Sequence, residues 1–397
     1  MRILLANGHR SILGGVETHL RSLIPLLRAR GHEIALLHEV PAENDAAVVD
    51  EGASEIWAPC AARTPVDQLL GAVREWQPDV VYTHGLHSAG LEAGLVEAFP
   101  AAFFGHGYYG TCATGSKLHR RPDVQPCSRA MGPSCLALNY LRGCGGLSPV
   151  ALWRYYRLQL RRRALLGRYG AVMVASRHML EEYSHHGVQR SRLQLAPLFP
   201  PGQKPAPEAP PRRGVAGRLL YVGRLTVAKG ARLLADTVAV AAALLGRPLS
   251  LTVMGDGPER TWLEHRSQEL GIRAEFRGWV DGPERDSQYR EADLLLLPSI
   301  WPEPYGLVGL EAACFGLPSA AFPVGGIRDW LVPERTGVFA SSGQMTARNL
   351  AKAVARVLAD PDHLERLRRG AWKESHRVSS DTHVLLVESV LKALREK

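Results

Sequence analysis

Two glutamates, Glu303 and Glu311, stand with seven residues between them in EPYGLVGLEAACFGLPSAAFPVGG, residues 303–326. Gly306 makes a turn shortly after the first, and the run VGLEAACFG carries the second on a helix. This is a loop entering a helix, whose first-turn N–H groups point outward and favour an anion. The turn itself is Tyr305, Gly306, Leu307 and Val308. A carboxylate on either side of it can accept hydrogen bonds from hydroxyls. N–H donors for phosphate beside carboxylates for sugar hydroxyls make a nucleotide-sugar site. A second group of residues suits the same ligand. In YVGRLTVAKG (221–230) a strand ends in Gly223, and Arg224 and Lys229 follow before a helix. Arg224 can grip a phosphate with two donors, and Lys229 supplies a point charge. Taken alone, the two could equally be surface cations.

The elements that must hold these residues alternate short apolar strands with amphipathic helices, the pattern of parallel α/β sheets. RILLA (2–6), IALLH (34–38), DVVYT (79–83), AAFFG (101–105) and AVMVA (171–175) read as one strand series. RLLYV (218–222), LSLTVM (249–254), AEFRG (274–278), DLLLL (293–297) and SAAF (319–322) read as a second. Between them PLFPPGQKPAPEAPPRRG (197–214) can neither pair into a sheet nor form a helical stripe. The chain thus reads as two Rossmann-like halves with a hinge there. Ligands of such sheets sit at the carboxyl ends of the strands, and in two halves those ends are expected to face a shared cleft. A last helix, from about 379 to 397, shows a stripe through Val384, Leu385, Val390 and Leu391.

Other strand ends carry further candidates. GHRSILGGVETHL (8–20) puts Gly14 and Gly15 before a helix, where backbone could approach a phosphate. It lacks the spacing of a dinucleotide fingerprint, so no nicotinamide cofactor is expected. GHGYYG (105–110) places His106 after a strand, and YTHGLHS places His84 and His87 likewise. Each histidine also has an ordinary structural reading.

The 303–326 segment closely resembles the donor signature of the family 4 retaining glycosyltransferases, which have the GT-B fold. MGDGPE (254–259), FRGWV (276–280) and the glycine pair 325–326 match further landmarks of that family. The resemblance implies an α/β, GT-B fold of two Rossmann-like domains facing a central cleft. It assigns 1–199 to an N-terminal acceptor domain with an insertion at 106–148, and 200–378 to a C-terminal donor domain. Residues 379–397 form a helix crossing back to the first. It implies that Arg224 and Lys229 hold the diphosphate, Glu303 the sugar hydroxyls and Glu311 the ribose. Trp279 and Val280 would lie by the base, with Gly223, Tyr305, Gly306, Leu307 and Val308 around the phosphates. His106 would hydrogen-bond the sugar or phosphate, with Gly14, Gly15 and His84 lining the cleft. The implied reaction moves a sugar, with retention, from a nucleoside diphosphate sugar to a hydroxyl of a glycan, a lipid-linked acceptor or a small molecule. The leaving phosphate would assist deprotonation of that hydroxyl. No cofactor and no metal are expected, since no Asp-x-Asp motif stands where one would be needed. One departure is APLFPPG before the linker, where family members often have an asparagine-glycine turn. An epimerase, a sugar phosphorylase or a non-catalytic nucleotide-sugar-binding subunit could share the fold.

Hydrophobic and charged contents of 46% and 22% suit a globular enzyme. No apolar run nears the roughly 20 residues a bilayer needs, and MRILLANGH lacks signal-peptide architecture. A cytoplasmic protein is expected. The net charge of +9 suits an anionic partner. Nucleic acid is not expected, because no zinc-finger spacing, RNA-binding signature or basic tail is present. WRYYRLQLRRRALLGRYG (153–170) carries six arginines. Trp153, Tyr156, Leu160 and Ala164 share one helical face, flanked by Arg154, Arg157, Arg161 and Arg168. Such a helix could lie peripherally on anionic lipid or present a solvated basic flank. Cys112, Cys127, Cys135 and Cys144 fall in the insertion, separated by fourteen, seven and eight residues. With no CxxC pair, zinc (His119 an alternative ligand), disulfides and reduced packing thiols all stay open. Cys60 and Cys314 read as ordinary buried thiols.

Overall fold

The computed structural model describes residues 1–397 other than 43–46, 51, 53, 59–64, 203–204, 206–207, 212–213, 281, 342 and 397, and the side chains of 55 and 57. Cys60 and part of the 197–214 tract lie outside the described residues; the described part of that tract forms no helix or strand.

In chain order the strands are β1 (Arg2–His9), β2 (Glu33–Val40), β3 (Ser54–Trp57), β4 (Val80–Thr83), β5 (Ala101–Gly105), β6 (Leu118–His119), β7 (Gln125–Pro126), β8 (Ala171–Val174), β9 (Leu193–Leu195), β10 (Arg218–Val222), β11 (Ser250–Met254), β12 (Arg273–Gly278), β13 (Leu294–Leu297), β14 (Ser319–Ala321) and β15 (Gly337–Phe339). The helices are α1 (Gly15–Ala29), α2 (Val66–Trp76), α3 (Ala89–Ala98), α4 (Ser134–Arg142), α5 (Pro149–Leu166), α6 (Arg177–His185), α7 (Leu234–Leu245), α8 (Arg260–Glu269), α9 (Gly282–Glu291), α10 (Leu307–Cys314), α11 (Ile327–Trp330), α12 (Ala347–Leu358), α13 (Pro361–Ser375) and α14 (Ser380–Arg395).

The chain divides into two units. The first is Met1–Pro122, Cys127–Pro201 and Ser380–Lys397; the second is Asp123–Pro126 and Gly202–Ser379. The first holds a parallel sheet in the order β3-β2-β1-β4-β5-β8-β9. The second holds a parallel sheet in the order β12-β11-β10-β13-β14-β15. Each sheet therefore reverses direction once, between β1 and β4 and between β10 and β13, and a crevice opens at the strand ends there. The central strands are apolar throughout because helices cover both faces: Ile3–Ala6, Val80–Tyr82 and Leu294–Leu296 are all buried.

Five strands escape the sequence reading: β3, β9 and β15 of the two parallel sheets and the two-residue pair β6 and β7, none longer than four residues. The last helix, α14, belongs to the first unit, where it packs on α1, β4 and β5. Its buried stripe is His383, Val384, Val387, Glu388, Leu391 and Leu394. Leu385 turns outward instead, because Glu388 takes an inward place by pairing with Arg30 at 2.5 Å and His32 at 3.3 Å. On α5 the buried face runs through Leu152, Tyr156, Gln159, Leu165 and Leu166, so Trp153 and Ala164 lie off it, exposed. The side chain of Gln159 is drawn inward by the backbone N–H of Gly110, 2.8 Å away.

Candidate active site

In the second unit, two loops leave the sheet at its switch point: 223–230 after β10 and 298–306 after β13. They are stitched together by backbone. Ile300 and Trp301 donate their N–H groups to the carbonyl of Ala228 at 3.0 and 2.9 Å. Gly230, at φ +75, lies so close that a Cβ there would come 1.9 Å from the Pro298 carbonyl oxygen. Gly223 is tied from the other side to MGDGPE, donating to Met254 O at 2.9 Å.

This scaffold brings Lys229, Ser299 and Glu303 together. The Lys229 ammonium donates to both carboxylate oxygens of Glu303 at 2.7 Å. The Ser299 hydroxyl donates to Glu303 Oε1 at 2.5 Å. Glu303 is only 7% exposed, and such a carboxylate needs these donors. Its backbone is fixed as well: Gly326 N–H donates to Glu303 O at 2.7 Å, and Gly325 (φ +52) leaves room for that carbonyl. The Lys229 ammonium also lies 4.9 Å from the ring centre of Trp301. Arg224 is exposed, and its carbonyl accepts from Tyr221 Oη at 2.9 Å.

The chain then turns through Gly306 (φ +86) into α10, whose N-terminus has no side-chain cap. Gly309 N–H donates to Gly306 O at 3.3 Å, and the N–H groups of Leu307 and Val308 ahead of it can serve an anion. Tyr305 is buried, and its carbonyl accepts from Trp330 Nε1 at 2.7 Å. The same indole ring lies against Gly309, where a Cβ would meet it at 1.9 Å. Glu311, one turn along α10, accepts from Tyr289 Oη at 3.1 Å. Burial raises its pKa above the ordinary carboxylate value, against the opposing charge of Arg285 and the Tyr289 hydrogen bond. Tyr289 was not singled out from sequence, though it is the one aromatic residue of the polar helix α9. Val280 packs against an apolar cluster that includes Tyr289 and Ala312. Trp279 projects into solvent, 79% exposed.

In the first unit, His84 and His106 end β4 and β5, with His84 Nδ1 and His106 Nε2 2.9 Å apart. His19 of α1, His383 of α14, Phe104 and Phe199 complete the cluster. Burial, reinforced by the neighbouring imidazoles, holds His19, His84 and His106 well below the usual histidine value, so all are neutral at pH 7. His84 Nε2 is buried and has no partner among the described residues. A proton on His84 Nδ1, donated to His106, leaves that nitrogen a bare lone pair; the reverse would bury an N–H without an acceptor, at about 1–3 kcal/mol. His106 then carries its own proton on Nδ1. His87 Nε2 is 3.2 Å from His9 Nε2.

Gly14 and Gly15 have neither crowding nor a left-handed backbone to require glycine. The first turn of α1 already holds a buried carboxylate, Glu17, accepting from Asn7 at 3.1 Å. The four insertion cysteines line one small cavity of about 30 Å³ with Lys117 and His119. All four are free thiols, and among the described residues no metal-binding group of three ligands is assembled. Cys144 Sγ is 3.5 Å from His119 Nδ1, and burial pushes the Cys127 and Cys144 thiols up. Cys314 is a buried thiol pushed up to about 12.

Residues 208–374 match the family described as Glycosyl transferases group 1. Residues 13–199 match the one described as Glycosyltransferase Family 4. Glycogen synthase of Mycobacterium tuberculosis is 26% identical over 96% of this chain and 91% of its own length. Sucrose-phosphate synthase from Thermosynechococcus elongatus superposes with a TM-score of 0.71 at 21% identity, over 99% of both chains. Anabaena HepE, solved with UDP and glucose, superposes at 0.67 and 17% identity over 99% of this chain and 100% of its own. The two family matches fall one on each parallel-sheet unit of a GT-B fold, and the chain belongs to the family 4 glycosyltransferases, enzymes of the glycosyl-transferring class.

Proposed function

We propose that the enzyme takes a sugar from a nucleoside diphosphate sugar and transfers it, with retention, to a hydroxyl acceptor. The observation that carries this reading is the Lys229–Glu303–Ser299 cluster beside the uncapped start of α10. An ionised carboxylate has about four acceptor sites, and three are filled here; the fourth is free for a sugar hydroxyl. The ammonium has three N–H bonds and spends two on Glu303, keeping one for a phosphate oxygen. Arg224 and the α10 N–H groups add positive potential for the same diphosphate. As the glycosidic bond breaks, negative charge grows on the leaving diphosphate, and donors already in place stabilise it without reorganisation.

Glu311, a carboxylate in need of donors, suits the ribose hydroxyls. His106 offers a neutral N–H donor to a substrate oxygen. No carboxylate is assigned as a nucleophile. The acceptor hydroxyl attacks from the side the diphosphate leaves, and a phosphate oxygen takes its proton. HepE was solved with UDP and glucose, which supports a nucleotide-sugar donor. The reading is tested with sugar nucleotides and an acceptor series, following nucleoside diphosphate release and the anomeric configuration of the product by NMR. Retained configuration is expected. An inverted product, or conversion of the sugar nucleotide without acceptor, would reject it.

A further inference from the structure

Large apolar side chains left in water are unevenly spread over this protein. Six of the twelve exposed ones among the described residues fall within sixteen residues: Tyr140, Leu141, Leu147, Val150, Trp153 and Tyr155, each 37–80% exposed. Scattered exposed apolar residues need no explanation, but a group does. The chain places them at the end of α4, through the turn at Gly143 (φ +60), and on the first turns of α5. Because α5 buries Leu152, Tyr156 and Gln159, Val150 and Trp153 lie outward with Arg154, Arg157 and Arg161, and Tyr155 is exposed on the flank beside Gln159. Trp153 is held rather than loose, stacked on Tyr156 with ring centres 6.1 Å apart.

The charge is localised to the same segment. Residues 106–170 contain eleven lysines and arginines and one acidic residue, Asp123; the rest of the chain holds 37 basic and 38 acidic residues. The whole net charge of +9 therefore arises from this stretch. Not all of its arginines are available. Arg162 donates to Leu86 O, Arg163 to Met131 O, and Arg168 pairs with Glu97 at 3.2 Å. Pairing removes Arg168 from the basic flank expected from sequence. Arg154, Arg157 and Arg161 remain exposed on α5.

We propose that this surface, from Tyr140 to Arg161, docks the enzyme peripherally on an anionic lipid bilayer. Aliphatic side chains enter the acyl boundary, Trp and Tyr rings lie at headgroup level, and guanidinium groups meet lipid phosphates. A nucleic acid would use the arginines but give Leu141, Leu147 and Val150 nothing to bury against. A second copy would bring two strongly positive surfaces together.

The test is co-sedimentation of the full-length protein with vesicles of phosphatidylcholine alone and of phosphatidylcholine with phosphatidylglycerol. Pelleting is expected only with the anionic vesicles, and release is expected on raising salt from about 0.05 M to about 0.5 M, as screening shortens. Arg154→Gln, Arg157→Gln and Arg161→Gln together should lower partitioning about 100-fold. Leu147→Ser, Val150→Ser and Trp153→Ser together should lower it at least about tenfold. The arginine variant should keep the wild-type thermal midpoint, since its altered side chains are exposed, and the apolar variant, which loses the Trp153–Tyr156 stack, should still unfold cooperatively with a midpoint only slightly lowered. No pelleting at low salt, or undiminished pelleting of either variant, overturns the proposal. So does a concentration-dependent dimer abolished by Trp153→Ser, or tighter binding to an oligonucleotide than to anionic vesicles.

Discussion

Replacing Glu303 by glutamine keeps the shape of the side chain and changes only its charge and one oxygen. In the native arrangement that carboxylate receives both Lys229 contacts at 2.7 Å and the Ser299 hydroxyl at 2.5 Å. In Glu303→Gln either amide orientation sets the NH₂ against the ammonium, and one of the two also sets it against the Ser299 hydroxyl. Lys229 then has a donor as neighbour, keeps one neutral acceptor, and is no longer held against the site. The lost hydrogen bond from a sugar hydroxyl to a charged group is worth about 1.5–3 kcal/mol. Loss of one preorganised donor to the leaving group is worth about 2.7–4 kcal/mol. The two act through one cluster and do not add, so about 3–4 kcal/mol is expected. At 1.4 kcal/mol per factor of ten, kcat falls about 100- to 1000-fold, measured as nucleoside diphosphate release. Glu303→Ala should fall at least as far. A cycle with Lys229→Met should show coupling above about 1 kcal/mol, because the two groups touch. Turnover of Glu303→Gln at the wild-type rate, or strictly additive losses, would refute the reasoning.

Three further outcomes follow from the same geometry. Gly325→Ala forces a Cβ to 2.2 Å from the Glu303 carbonyl at φ +52; stability should fall by about 1–3 kcal/mol in urea unfolding, with loss of turnover. Glu311 has a folded pKa raised by burial, so its contribution to stability is present below its unfolded value and lost as pH rises through the folded one. Ribose hydroxyls that donate to the ionised form offset that loss; binding should therefore release a proton, and affinity should fall as pH is lowered through the raised pKa. Calorimetry in two buffers checks this, and a dideoxy nucleotide that shows the same pH dependence would count against the ribose role. His19, His84, His106 and His383 have folded values lowered mainly by burial, His383 to about 4. Their contribution is fully present above about 6.5 and is lost as pH falls toward those values, by about 1.4 kcal/mol per pH unit for each group. Thermal unfolding against pH should show that slope, shallower in His383→Phe.

Much of this molecule could be read before it was seen. The strands of both sheets were legible because a strand buried on both faces must be apolar throughout. β3, β9 and β15 were not, being too short to show a period. Lys229 and Glu303 lie 74 residues apart in sequence, and only the backbone stitching of two strand-end loops explains their contact. The Ser299 hydroxyl as a donor to Glu303 was not legible. Tyr289 was hidden because its helix shows no apolar stripe, so nothing in the pattern points it inward. The stripe of α14 was misread at Leu385, since a charged Glu388 occupies an inward position through ion pairs that hydropathy does not register. For Gly14 and Gly15, the sequence suggested a phosphate loop, while the structure puts the Glu17 carboxylate in that helix turn.

The claim on which the functional account rests is that the loops after β10 and β13 bind a nucleoside diphosphate. Thermal unfolding of the intact enzyme across a panel of nucleoside diphosphates tests it most directly. One of them should raise the midpoint by several degrees, corresponding to about 2.7 kcal/mol at a hundredfold excess over Kd. The shift should be much reduced in Arg224→Met and Lys229→Met. No shift with any nucleoside diphosphate at about 1 mM, or a shift unchanged in both variants, would contradict the account.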